Sequence, residues 1–141
     1  MKRATDVFRS ISALCNLKFG FNMAQIFRTD SHDTIVAKLA ELILKNNPGK
    51  YRAIYPGSEG PSFKLGGLIP DLVLNDQAAD KAVLAIEVET QESISAEQAV
   101  ARWKPISDNV PAFQLVVPKG TLARVKRMCK QHGIKAKFQE Y

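Results

Sequence analysis

The chain has 141 residues, enough for one domain with a substantial core, and its 45% hydrophobic and 24% charged content is ordinary for a soluble globular protein. No apolar run reaches the length of a membrane span, which argues against an integral membrane protein and against a membrane partner. The 2 cysteines, Cys15 and Cys129, form no Cys-x-x-Cys pair, so a reducing, cytoplasmic setting is the simpler expectation.

The net charge is +6, and its distribution says more than its size. Asp76, Asp80, Glu87, Glu89, Glu92 and Glu97 form an acidic centre, with Lys81 as the one base among them. Lys119, Arg124, Lys126, Arg127, Lys130, Lys135 and Lys137 follow with no acid between them. An acidic centre inside a basic protein suits a cation site facing a polyanion. The basic stretch also reads as a solvated helix face.

Residues 1–29 read as an N-terminal extension to a domain over 30–141. Val7, Phe8, Ile11 and Leu14 have the spacing of a short amphipathic helix. The stretch up to Phe21 is broken by Ser12, Asn16, Lys18 and Gly20 and lacks a cleavage site, so no signal peptide is expected. Met23 is an alternative start.

The spacing of Ile35, Val36, Leu39, Leu42 and Ile43 predicts a helix over 31–46, capped by Ser31 or Asp33 and stopped by Asn47-Pro48-Gly49. His32 reads as a surface or capping residue. Glu41, on the other side, reads as a solvated residue bridged to Lys38 or Lys45. Strands are expected over 51–55, 69–74 and 82–90. A helix over 95–107 follows, with Ser95 and Gln98 as a capping box and Pro105 disturbing its last turn. A strand over 112–117, a helix over 121–132 ended by Gly133, and an edge strand over 134–138 complete the chain. The order is helix, three strands, helix, strand, helix, strand. It predicts an α/β (α+β) domain with a central mixed sheet flanked by helices.

Two of these strands carry acids where apolar residues are expected. In a strand, Val83, Ala85, Glu87 and Glu89 share one face, and Leu84, Ile86 and Val88 share the other. Apolar residues on both faces indicate a central strand, so Glu87 continues a row that starts in the core. The connection over 75–80 is short, which predicts an antiparallel hairpin with Asp71 and Glu87 on neighbouring strands. Two carboxylates about 4 Å apart repel by roughly 4 kcal/mol at an effective dielectric near 20. A proton or a bound cation relieves this, and Mg²⁺ or Mn²⁺ favours such oxygen ligands, with the Val88 carbonyl as a further donor. A hydrated Mg²⁺ there suits phosphodiester hydrolysis.

Pro70-Asp71, a spacer, then Ile86-Glu87-Val88-Glu89 resembles the PD-(D/E)XK nuclease superfamily of restriction endonuclease-like and Holliday-junction resolvase-like proteins. The resemblance covers residues 30–138, and the family's helix, three-strand meander, helix and strand match the order above. It implies a Mg²⁺-dependent DNA endonuclease with Asp71 and Glu87 as metal ligands, and it sets Glu41 against the acid that members often carry on the first helix. The departure is Glu89, where the family usually has Lys and a minority has Glu. Glu89 then binds a second metal or acts as general base, or Lys104 or Gln98 of the following helix serves instead, or catalysis is lost. Arg102, Lys119, Arg124 and Arg127 are the expected phosphate contacts, and family habit implies a possible homodimer. The alternative is an inactive nuclease-fold protein that acts as a nucleic-acid-binding or assembly module.

Overall fold

The expected first helix forms as α1 (His32–Asn46) in the computed structural model, which describes residues 31–58, 60 and 62–141. The N-terminal extension lies outside the described residues. Ser31 caps α1, its hydroxyl accepting the Thr34 N–H at 3.3 Å, and the Asn47 side-chain amide closes the far end by donating to the Ile43 carbonyl at 3.0 Å. The apolar stripe Ile35, Val36, Leu39, Ala40 and Ile43 is buried on one face of the sheet, against Leu72, Leu74, Leu84, Ile86 and Val88.

Three strands, β1 (Tyr51–Ile54), β2 (Leu72–Asp76) and β3 (Lys81–Val88), form an antiparallel meander. A helical segment over 96–108, α2, crosses back to β4 (Phe113–Val117), parallel to β3. Helix α3 (Leu122–Gln131) leads to β5 (Lys137–Glu140), parallel to β4. The result is a mixed five-stranded sheet in the order β1-β2-β3-β4-β5, an α+β fold with helices on both faces. Ala99, Trp103 and Ile106 of α2, with Val125 and Cys129 of α3, pack on the face opposite α1, against Val73, Ala85, Phe113, Leu115 and Val117. Among the described residues, no helix is long and apolar enough to cross a membrane.

Four features differ from the sequence expectation, each for a physical reason. Strand β2 starts at Leu72 because Pro70 has no N–H for a ladder and Asp71 N–H donates to the Glu87 side chain. In β3, Leu84 pairs with Leu74 but Ala82 with Asn75, so Val83 is the extra residue of a bulge. Val83 therefore packs with the α1 cluster rather than sharing the face of Glu87. Ile134 belongs to the closure that follows α3 and not to β5. Its N–H donates to the Cys129 carbonyl at 2.8 Å around Gly133, whose φ is 65°, which is a Schellman closure. Helix α2 contains a π-turn over Ala99–Trp103, in which Lys104 N–H reaches back to the Ala99 carbonyl. Pro105 supplies a cause, since it lacks an N–H and its ring crowds the carbonyl four residues earlier.

The two layers set the stability of the frame. Ile43→Ala, at a fully buried position of α1, is expected to lower the unfolding free energy by about 2–5 kcal/mol. Val100→Ala, on the exposed side of α2, is expected to change it by less than about 0.5 kcal/mol. Urea denaturation measures both, and equal effects would contradict this layer assignment.

Candidate functional site

The acids meet where β2 begins and β3 ends. Asp71 N–H donates to Glu87 Oε1 at 3.1 Å, and Val88 N–H donates to Asp71 Oδ2 at 2.8 Å. Each side chain thus takes the backbone donor that a longer β2 would have used. The two carboxylates border a cavity of about 260 Å³ that is also lined by His32, Glu89, Ser93, Gln98 and Arg102.

Two cations reach these acids from opposite layers. From the first turn of α1, His32 Nε2 donates to Asp71 Oδ2 at 3.0 Å, while its Nδ1 faces Asp33 Oδ1 at 3.1 Å. From α2, Arg102 Nη2 donates to Glu87 Oε1 at 3.0 Å and to the Ile69 carbonyl at 2.9 Å. With carboxylates on both ring nitrogens, His32 is held as imidazolium. Its hydrogen bond to Asp71, assisted by Asp33, outweighs burial and lifts its pKa to about 9. Burial and the charge of Asp71 push Glu87 up to about 8 in spite of Arg102.

Glu89 is a different kind of carboxylate. It is 1% exposed and held by neutral donors: the Trp103 indole N–H at 2.8 Å on Oε1, the Ser93 hydroxyl on Oε2, and the Gln98 side chain. Burial raises its pKa and these hydrogen bonds oppose the rise. Tyr141 Oη donates to its carbonyl at 2.6 Å, which ties β3's exit to the end of the sheet. The π-turn explains how one helix serves both acids. In a regular α-helix, Trp103 would stand about 140° round from Gln98. The wider turn brings Gln98, Arg102 and Trp103 to the same side, where they contact Glu89, Glu87 and Glu89 in turn.

Asp71, Glu87, Val88, Glu89, Gln98 and Arg102 all line the cavity, whereas five other expected residues lie elsewhere. Glu41 is exposed farther along α1 and does not line the cavity; α1 contributes His32 from its N-terminus. Lys104 pairs with Asp108 at 3.0 Å and reaches the Gly133 carbonyl, because it follows the π-turn and points away. Lys119, Arg124 and Arg127 are exposed outside the cavity. The residues missed as site members are His32, Ser93 and Trp103. A histidine beside Asp33 at a helix start is the one local signal for His32, and the indole partner of Glu89 had none. Among the described residues, no group of three or more His, Cys, Asp or Glu side chains is arranged to hold a metal ion.

Two of the shifted groups, Glu87 and His32, set a pH dependence. Folding raises the proton affinity of Glu87 from 4.5 to about 8 and of His32 from 6.5 to about 9. The stability each contributes is complete below its unfolded value and lost as pH rises through its folded value. The melting temperature is therefore expected to fall between about pH 5 and about pH 9. Glu87→Gln should flatten the part below about pH 8. A wild-type melting temperature that climbs over this range would contradict the assignment.

Comparison with known proteins gave no match: no family model, no curated protein and no solved structure matches this chain.

Proposed function

We propose that this chain is a divalent-metal-dependent DNA endonuclease with an active site of the PD-(D/E)XK type. The observation that carries the reading is the Asp71–Glu87 pair, one carboxylate just before β2 and one on β3, each accepting a backbone N–H from the other's segment at the floor of an open cavity. Mg²⁺ is usually bound through one or two carboxylates, with water and substrate phosphates completing its shell. A two-carboxylate floor bordered by Val88 therefore suits hydrated Mg²⁺ or Mn²⁺ better than it suits an ion caged wholly by protein. An ion held there by Asp71 and Glu87 would supply a water of lowered pKa and a polarised phosphoryl group.

The chain's own residues supply the rest. Asp71 and Glu87 hold the cation. Glu89, fixed by Trp103, Ser93 and Gln98, shapes the wall beside them. Lys119, Arg124 and Arg127, all exposed, contact the DNA backbone and position it without reading sequence. A homodimer would present one such site to each strand. Cys129 is free and buried, and burial pushes its thiol up to about 11, which suits a reducing compartment such as the cytoplasm.

One observation favours a second reading, an inactive nucleic-acid-binding module: among the described residues no lysine lines the cavity, and both oxygens of Glu89 already accept hydrogen bonds. Cleavage assays on plasmid, branched and single-stranded DNA with Mg²⁺ or Mn²⁺ separate the two. The nuclease reading expects metal-dependent cleavage that Asp71→Asn and Glu87→Gln each abolish. Cleavage that survives in both variants sinks the site assignment. Salt-sensitive binding with no cleavage under any condition favours the binding module.

A further inference from the structure

Asp71 and Glu87 are already paired with His32 and Arg102, and these partners stand between them and solvent. The Glu87 side chain is 1% exposed and that of Asp71 16%, against 27% for Arg102 and 36% for His32. Two carboxyl side chains form the floor, and Arg102 and His32 form the lip. The lip is built from both layers, with His32 on α1 and Arg102 in the π-turn of α2.

We propose that Arg102 and His32 are the phosphate-binding groups of this site, held in reserve on Glu87 and Asp71 and released to a phosphodiester when a divalent cation takes those two carboxylates. This rests on the metal-dependent reading above. Glu87 Oε1 already accepts two donors, Arg102 Nη2 and Asp71 N–H, its Oε2 accepts Arg102 Nε at 3.4 Å, and Asp71 Oδ2 accepts Val88 N–H and His32 Nε2. A carboxylate oxygen offers about two lone-pair sites, so a cation binding these oxygens needs a donor to leave. The backbone donors are fixed by the sheet. The side-chain donors are free to turn, and a divalent charge repels both of them.

Once released, both groups stay at the mouth. Arg102 keeps a second anchor on the Ile69 carbonyl at 2.9 Å, and its planar fork matches two phosphate oxygens. Before release, their charge is spent on the floor carboxylates and adds little to DNA binding. Arg102 thus works as an internal counter-ion in the metal-free protein and as a substrate contact in the loaded one.

The test is the affinity for a short phosphorothioate DNA duplex, read by fluorescence anisotropy at fixed salt, with and without Ca²⁺ as a non-cleaving oxygen-seeking cation. Arg102→Gln is expected to change affinity by less than about twofold without Ca²⁺ and to lower it at least about tenfold with Ca²⁺. Arg102→Lys keeps a charge on Glu87 if the glutamine variant folds poorly, and is expected to show the same asymmetry, smaller in size. Lys119→Gln, outside the cavity, should weaken binding equally in both conditions. An equal loss for Arg102→Gln with and without Ca²⁺ overturns the proposal, since Arg102 would then be an ordinary phosphate contact. If Ca²⁺ changes neither the DNA affinity nor the melting temperature of the wild type, the metal-dependent reading itself fails, and this proposal with it.

Discussion

Glu87 sits at the end of a central strand with 1% of its surface exposed, and an ionised carboxylate in that position costs several kcal/mol or more unless it is compensated. Much of the surrounding structure supplies that compensation. Asp71 N–H points at Glu87 because Pro70 has broken the strand before it, and Arg102 reaches in from the opposing helix. Asp71 in turn needs Val88 N–H and His32. The site is therefore a closed set of charges in which each acid has one backbone donor and one cation.

This set couples the layers of the fold. Helix α1 is placed by its apolar stripe, and its first turn then delivers His32 to Asp71. Helix α2 is placed by Trp103 and Ile106, yet Trp103 spends its indole N–H on Glu89 while Arg102, next to it, holds Glu87. The π-turn lets neighbouring residues do both. Glu89 is thereby kept by neutral donors and Glu87 by a charged one, so two glutamates two residues apart have different electrostatic roles. A lysine in the place of Glu89 would face an indole N–H and a hydroxyl. The environment has been built around a carboxylate.

The meander and the meeting of Asp71 with Glu87 were legible in the sequence because both are local. A short connection enforces the hairpin, and alternation along β3 sends Glu87 toward the helices. Most elements were found for the same reason, since their apolar periods and stops lie within a few residues. What was not legible depends on distant or subtle geometry. The bulge at Val83 reverses one side chain without any Gly or Pro to mark it. His32 reads as a surface residue until α1 is laid across the sheet, a contact between residues 39 apart. The π-turn had only Pro105 as a signal, and Lys104, a candidate for the family's lysine, follows it and points away while Arg102 reaches Glu87.

The central claim is that Asp71 and Glu87 together form the cation-binding floor of a phosphodiester site. Crystals soaked in Mn²⁺ and measured at the manganese absorption edge test it most directly. The account predicts one strong anomalous peak bridging the Asp71 and Glu87 carboxylates, with Arg102 displaced from Glu87. A map with no peak there, or with manganese only at surface acids such as Asp76 or Asp108, would contradict it.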